Sequence, residues 1–342
     1  MADDAPLREA DAIEGIRAPE ETRELFGHAG ARAEMLASFA AGRLHHAWLI
    51  DGPRGIGKAT FAYDLSRAIL AQTADEAASR VAEQIAQGSY PNLRIVRRRV
   101  NERSGKFYTE IVIEDVRALT GYFQHTAGRA GTRVAVIDAV EDMSPGAANA
   151  LLKTLEEPPA NGLIFLITHR PGLVLPTIRS RCRTLSLRPI ADADIRSVIA
   201  AARIDAAPDA IDEALAVAEG RPRRALGALA LGETKALAAL KGWLSATDRS
   251  GVGHLAIAGE LARGGVQSAY TAAMDMINAW LSARAREGAG NLGPAPLAML
   301  AGLWDKARAL DADQSEYNLD RRQTLVMILD AIRDLDKTPA PQ

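Results

Sequence analysis

The sequence predicts an α/β fold, in which a parallel five-stranded sheet has helices on both faces and is followed by helices alone. Three observations predict it. Continuous apolar runs alternate with helical patterns as far as about residue 188, which is typical of a parallel sheet covered on both faces. A glycine-rich loop, GPRGIGK, joins the first apolar run to a helix. Beyond about residue 188 only helical patterns remain.

Composition and charge exclude several classes of protein. The chain has 342 residues, enough for two or three domains, and its net charge is −2. A charge this small gives no overall field that would steer the molecule to DNA or to an anionic membrane. Cys182 is the only cysteine, so neither an internal disulfide nor a cysteine zinc site can form. The acidic N-terminus lacks the apolar core of a signal peptide, and we expect a cytoplasmic protein.

Apolar runs and helical periodicity place the elements of the first part. Strands are predicted at residues 47–51, 93–96, 134–137, 163–168 and 184–187. Helices are predicted at residues 31–41, from 58 onward, at 74–87 and at 115–125. A further helix lies between Ser144, which can cap it, and the prolines at 158 and 159, which end it. The charged run 97–106 and the strand-like run 107–113 together predict a β-hairpin.

The change in pattern divides the chain into three domains. Residues 1–188 form the sheet domain, residues 189–245 a small helical lid, and residues 246–342 an all-α C-terminal domain. Helices of the lid are predicted at 191–201, 208–219 and 222–231. Glycine-rich breaks at 251–253, 264–265 and 288–296 separate the helices that follow.

The glycine-rich loop has the context of a phosphate-binding loop, because it follows a strand and opens a helix. Three glycines allow backbone N–H groups to converge on phosphates: Gly52, Gly55 and Gly57. Lys58 supplies a positive charge for the phosphates, and the helix N-terminus adds its dipole. The consensus then requires Ser or Thr to hold Mg²⁺, but position 59 is Ala. Thr60, one residue further, is rotated by about 100° around the helix and stays a candidate nucleotide-binding residue.

The run VAVID ends in Asp138, at the position where P-loop proteins hold Mg²⁺. Most hydrolysing members of this class follow the Asp with a Glu that prepares the attacking water, whereas this chain has Ala139. Glu141 or Asp142 is an alternative base, although acids in loops are usually solvated. ATP or ADP is therefore a candidate ligand, and whether a nucleotide binds stays open at this point.

Three motifs resemble those of bacterial clamp-loader subunits, which belong to the AAA+ proteins. They are NALLKTLEEPP at 149–159, HHAWLIDGPRGIGKAT at 45–60 and SRC at 180–182. The resemblance extends from about residue 26 to residue 226. It implies an AAA+ P-loop domain, a helical lid and a C-terminal collar that holds a ring of subunits together. The four-cysteine zinc module of many members is absent, since residues 72–92 contain no cysteine.

The resemblance also assigns roles to individual residues. Arg181, in SRC, matches the arginine finger that a subunit supplies in trans to a neighbour's ATP. Thr168 matches the sensor at the tip of the fourth strand. The run GRPRRAL at 220–226 matches a second sensor, which places Arg223 over the nucleotide site of this chain. The alternative for Arg181 is an ion pair with an acid of its own domain.

Ala59 and Ala139 make this chain similar to a structural subunit of the family and unlike the gamma/tau motor subunits. The implied partners are gamma/tau and delta subunits in a hetero-oligomeric ring, which loads the sliding clamp onto primed DNA. The alternatives are an active clamp-loader ATPase of the gamma/tau type and an AAA+ nucleotide switch outside replication. The arginines of the run 97–106 could contact DNA phosphates, but a solvated surface is the favoured interpretation.

Overall fold

A computed structural model of the chain describes residues 12–13, 15–101, 107–124, 131–230, 235–246, 248–249, 252–262, 267–288, 293–317 and 319–335. Contacts divide the chain into two compact units. The first contains residues 1–205 and 218–223, and the second contains residues 206–217 and 224–342. Among the described residues, the helices are all too short or too polar to cross a membrane.

The first unit is built on a parallel five-stranded sheet. In chain order the strands are β1 Ala47–Asp51, β2 Leu93–Arg97, β3 Arg133–Asp138, β4 Gly162–Ile167 and β5 Arg183–Ser186. Their order across the sheet is β2-β3-β4-β1-β5, and every neighbouring pair is parallel. The predicted sheet is therefore confirmed, and each predicted strand lies within one residue of its expected bounds. Parallel strands bring their carboxyl ends to one edge, where the phosphate loop follows β1.

Helices cover both faces of this sheet. They are α1 Ala29–Ala40, α2 Lys58–Thr73, α3 Ala78–Ala86, α4 Ile113–Gln124, α5 Pro145–Glu156 and the one-turn helix α6 Pro176–Arg179. After β5 the chain forms α7, Asp192–Ala202. One apolar core contains residues of α4 and α5, and another contains residues of α1, α2 and α3. The cap of α5 is as predicted, because the Ser144 hydroxyl accepts a hydrogen bond from the Ala147 N–H at 3.3 Å.

Two predicted elements of the first unit differ from the structure. The helix expected at 74–87 is the shorter α3. The strand-like run 107–113 is not a strand: Phe107 forms a single antiparallel bridge with Val100, and Ile111 a single parallel bridge with Met143. Ile111 is held by the turn after β3, since its N–H donates to the Asp142 carbonyl at 2.6 Å. The hairpin tip at 102–106 lies outside the described residues.

The second unit is helical. Its helices are α8 Pro208–Ala218, α9 Pro222–Ala230, α10 Lys235–Ser245, α11 Gly253–Ala262, α12 Gln267–Gly288, α13 Pro294–Tyr317 and α14 Arg321–Leu335, with the unit boundary falling at the end of α8 and inside α9. Leu240 of α10 is fully buried in one apolar core with residues of α11 to α14. The division at 188 and 245 stays a prediction.

Candidate functional site

The phosphate loop between β1 and α2 depends on its glycines. Gly52, Gly55 and Gly57 have φ angles of 139°, 86° and 96°, which residues with a Cβ rarely adopt. A Cβ on Gly52 would lie 2.5 Å from the carbonyl oxygen of Leu187. Glycine is therefore needed at these positions for the positive φ angles and, at Gly52, for the close approach of another backbone segment, as well as for phosphate binding.

The first turn of α9 packs directly on this loop. The Arg223 N–H donates to the Gly55 carbonyl at 3.1 Å, and a Cβ on Gly55 would lie 3.0 Å from the Cβ of Arg223. The structure thus brings the predicted sensor residue Arg223 to the phosphate loop, although the two positions are far apart in the sequence. A sensor role for Arg223 stays a prediction.

Lys58, the first residue of α2, is only 4% exposed. Its ammonium group donates to the carbonyl oxygens of Gly52 at 2.7 Å and Pro53 at 2.9 Å. Burial lowers the pKa of Lys58 to about 8, and the negative charges of Asp138 and Glu141 partly oppose this shift. The charge that would bind phosphate is therefore held in a partly desolvated position.

Replacing Lys58 by Met is expected to stabilise the first unit at pH 7 by about 1–2 kcal/mol. A lysine whose folded-state pKa lies near 8, below its ordinary value of 10.5, is harder to protonate when folded. Each unit of such a shift corresponds to about 1.4 kcal/mol, and the lost hydrogen bonds to the loop carbonyls offset part of the gain. The penalty is full below pH 8 and disappears as the pH rises towards 10.5, because the unfolded chain then binds more protons.

Urea unfolding of Lys58→Met and of the wild type at several pH values measures this difference. Lys153 of α5 is exposed, and Lys153→Met is the control, because it removes a lysine ammonium from the surface; we expect it to change the stability little. A Lys58→Met protein that is less stable than the wild type at pH 7 would contradict the prediction.

The acids after β3 fall into two groups. Asp138 ends the strand and Ala139 is 4% exposed, so no carboxylate stands in the position after Asp138. Glu141 is close enough to influence the pKa of Lys58, and its Oε1 accepts a hydrogen bond from the His169 N–H at 2.7 Å. Asp142 instead pairs with the Arg98 Nε at 2.9 Å. Of the two alternative bases, Glu141 is therefore the one near the phosphate loop.

The remaining predicted nucleotide contacts lie beside the loop. Thr168 follows β4, and its N–H donates to the Ile50 carbonyl of β1 at 3.0 Å. Its side chain is fully buried, and its hydroxyl accepts from the Arg170 N–H at 3.1 Å. Ala59 packs partly buried against the core beneath the loop, and Thr60 is half-buried on the next position of α2. Nucleotide contacts by Thr168 and Thr60 stay predictions.

Arg181 lies at the opposite edge of the sheet from the phosphate loop. Strand β5 pairs in parallel with β1, with Arg183 opposite Trp48 and Ser186 opposite Asp51. Arg181 comes two residues before Arg183, and therefore near the level at which β1 begins, whereas the loop follows the end of β1. Five strand residues at about 3.3 Å each separate these levels by roughly 17 Å.

Arg181 pairs with Glu156, the last residue of α5. The Arg181 Nη2 lies 2.6 Å from the Glu156 Oε1, and Nη1 donates to the Thr177 carbonyl at 2.9 Å. The two side chains are 36% and 49% exposed, so their ion pair contributes little to stability. The alternative of a partner acid within the same domain is thus observed. Sequence reasoning could not identify Thr177 as an anchor, since only its backbone carbonyl is used.

A cavity of about 500 Å³ opens beside this pair. Its lining consists of His45, His46, Leu155, Glu156, Ser180, Arg181, Cys182 and Arg183. Burial, and then the neighbouring His45, lower the pKa of His46, while burial raises the pKa of Cys182 to about 11. A thiol with this pKa stays protonated near neutral pH and is a poor nucleophile. Within the described part of the chain, no three metal-binding side chains come together.

The described arginines of the charged run are paired with acids. Arg97 lies 2.8 Å from the nearly buried Glu20, Arg98 pairs with Asp142, and Arg99 lies 2.7 Å from Asp115. Neutralised arginines attract phosphates less, so these pairs favour a structural role over direct DNA contact. Arg103 and Lys106 lie outside the described residues.

Comparisons with known proteins agree with the resemblance of the motifs. Residues 28–191 match the family described as "DNA polymerase III, delta subunit". The chain is 33% identical over 181 residues to the DNA polymerase III subunit delta' of Pseudomonas aeruginosa, an alignment that covers 52% of this chain and 53% of that subunit. It is also 30% identical over 242 residues to the DNA polymerase III subunit tau of Escherichia coli, covering 66% of this chain and 36% of tau.

One solved structure aligns with the chain at low sequence identity. A DNA polymerase III gamma subunit-related protein of Thermotoga maritima aligns with 89% of this chain and 99% of its own, at 17% identity and a TM-score of 0.46. By sequence, the chain spans about half of the length of the delta' relative and about a third of tau. Over residues 28–191, the chain is therefore similar to the family described as DNA polymerase III delta subunits, and over about half of its length to a delta' subunit.

Proposed function

We propose that this chain is a structural AAA+ subunit of a replicative clamp loader, assembled in a ring with gamma/tau and delta subunits. It supplies Arg181 in trans to the ATP of a neighbouring subunit and hydrolyses no ATP itself. Through the complex, it helps to load the sliding clamp onto primed DNA.

The position of Arg181 carries the proposal. The register of β5 on β1 separates it from its own phosphate loop by roughly 17 Å, far beyond the reach of one side chain from that edge. An arginine finger has to contact the γ-phosphate as charge develops on it. Arg181 is also 36% exposed at the side chain and lines an open cavity, which makes it accessible to a second subunit.

Two residues support the absence of hydrolysis. Ala59 stands where the loop consensus has the hydroxyl that holds Mg²⁺, and Ala139 stands where the motor subunits have a catalytic Glu. Neither methyl group can coordinate a metal or accept a proton. The glycines of the loop, Lys58, Asp138 and Arg223 still form a site that could hold ATP or ADP.

The purified chain is expected to release no phosphate from ATP above the blank, with or without Mg²⁺. The reason is the combined loss of the metal-binding hydroxyl and of the catalytic carboxylate. A phosphate-release assay measures this, with the reconstituted complex as the positive control. A turnover near ~1 s⁻¹, the lower end for dedicated phosphoryl-transfer enzymes, would contradict the prediction.

A second candidate function is that of an active gamma/tau-like ATPase. The observation in its favour is Glu141, whose carboxylate lies close enough to Lys58 to influence its pKa and could act as the base in place of the missing Glu. The similarity to tau is compatible with this candidate. Turnover that disappears in Glu141→Gln, but persists in Asp142→Asn, would establish it.

Reconstitution tests the leading proposal directly. The full chain is mixed with gamma/tau and delta subunits, and the assembled complex is assayed for loading of a labelled clamp onto primed DNA. Omission of this chain should abolish assembly and loading. A complex that assembles and loads clamps without it would overturn the proposal.

A further inference from the structure

Glu156 occupies an unfavourable place for an acid. It is the last residue of α5, where the helix dipole presents partial negative charge and disfavours a carboxylate. Its side chain is half-exposed, so no core packing requires it. The contact that it makes is the short ion pair between its Oε1 and the Nη2 of Arg181, at 2.6 Å.

The guanidinium group of Arg181 is held from two sides. Glu156 binds Nη2, while Nη1 donates to the Thr177 carbonyl at 2.9 Å and lies 3.4 Å from the Ser180 hydroxyl. The Nε–H donor makes no hydrogen bond within the part of the chain that the structure describes. A planar guanidinium fixed at both terminal nitrogens therefore keeps a donor for another ligand.

The surroundings suit an anionic ligand. Arg181 and Glu156 line the cavity of about 500 Å³, together with Arg183 and the pair His45 and His46. Two arginines against one carboxylate leave the charged groups of the cavity net positive, apart from any charge on the histidines. The Glu156 carboxylate thus orients one arginine without cancelling the positive charge of the cavity.

We propose that Glu156 is the positioning residue of Arg181. It holds the guanidinium in place before a partner subunit presents its nucleoside triphosphate to the cavity. This rests on the proposed function, in which Arg181 acts in trans. An arginine side chain has several rotatable bonds, and ordering it opposes binding. Because Glu156 and Thr177 order it within the isolated chain, less freedom is lost when the γ-phosphate arrives.

The isolated full chain tests the holding contact independently of any activity. The NMR signals of the Arg181 guanidinium report how fast it rotates about the Nε–Cζ bond. We expect slow rotation in the wild type and in Glu157→Gln, the neighbouring exposed acid, and rotation typical of a solvated arginine in Glu156→Gln. Equal rotation in the wild type and in Glu156→Gln would overturn the proposal.

The reconstituted complex tests the functional consequence. The Arg181-dependent part of the ATPase rate is the difference between the wild-type complex and the Arg181→Ala complex. Glu156→Ala should reduce that part of the rate about tenfold, which is the rate change that corresponds to the free energy of one hydrogen bond to a charged group. The KM for ATP should stay unchanged. Glu157→Ala should leave it unchanged, and co-elution should show that every variant still assembles.

The double variant separates the two proposals. If Glu156 acts only through Arg181, a complex that carries both Glu156→Ala and Arg181→Ala should hydrolyse ATP at the same rate as the Arg181→Ala complex. A further loss in the double variant, or no loss in Glu156→Ala when Arg181→Ala does lower the rate, would overturn the positioning role and leave the proposed function standing. No loss in Arg181→Ala itself would overturn both.

Discussion

Arg181→Ala should reduce hydrolysis at one site of the reconstituted clamp loader by roughly 10³–10⁵-fold, the contribution of an arginine finger to phosphoryl transfer. Only one of several sites in the ring depends on this copy of the motif. The DNA-stimulated ATPase of the whole complex should therefore fall by about the share of one site. Clamp loading should fall by more than that share, because loading requires the subunits to act together.

The isolated Arg181→Ala protein should keep its fold. The ion pair with Glu156 is 36% and 49% exposed, and exposed pairs contribute about 1 kcal/mol or less. Thermal unfolding of the isolated protein measures this, and co-elution with partner subunits measures assembly. A marked loss of thermal stability, together with a normal ATPase rate per ring, would show that Arg181 has a structural role.

Arg181→Lys is the informative comparison. Lysine keeps the positive charge but has a compact ammonium group, which cannot bind Glu156, Thr177 and a phosphate with one planar fork. We therefore expect Arg181→Lys to behave like Arg181→Ala in the ATPase and loading assays. Full activity of the lysine variant would mean that charge alone is required at this position.

Gly52→Ala should destabilise the first unit by about 3 kcal/mol or more, whether or not nucleotide binds. The new Cβ would lie 2.5 Å from the Leu187 carbonyl oxygen and 2.7 Å from the Ile56 Cδ1. The first of these is a backbone atom in the segment after β5, whose N–H is already bound to the Asp51 carbonyl at 2.9 Å. Relief of the clash therefore requires the end of β5 to move away from β1.

Gly57→Ala is the matched control. Gly57 also has a positive φ, of 96°, but a Cβ there would meet no atom within 4 Å. It should show only backbone strain, of about 1–2 kcal/mol. Chemical unfolding of both variants measures the difference, which isolates the clash from the strain. Equal losses in the two variants would contradict the role of the Leu187 contact.

Local sequence patterns predicted the helices and strands whose formation depends mainly on neighbouring residues in the chain. Continuous apolar runs identified β1, β3 and β4, because a strand buried on both faces needs an apolar residue at almost every position. The more exposed β2 and β5 have a less uniform apolar pattern. The cap by Ser144 followed from the same kind of reasoning. The prediction of a strand at 107–113 was wrong. The β-branched and aromatic residues of this run suit a strand, but in the structure it forms only isolated bridges with its neighbours.

The contacts of the candidate site depend on approaches between distant segments. The Glu141 carboxylate meets the His169 N–H across 28 positions of sequence, and Arg223 meets Gly55. Which side chains meet at a sheet edge is set by strand order and register, and neither can be read from one local window. The resemblance of motifs named Arg223 and Arg181, but the pairing of Arg181 with Glu156 required the fold.

The contact between Arg223 and Gly55 has a thermodynamic consequence for the start of α9. The first amides of any helix lack intrahelical acceptors, and a side chain usually caps one of them. Here the carbonyl of a loop glycine, 168 positions earlier in the sequence, serves as the acceptor for Arg223. Fraying of the first turn of α9 and rearrangement of the phosphate loop are therefore coupled, so a ligand that reshapes Gly55 also shifts the helix–coil equilibrium of that turn.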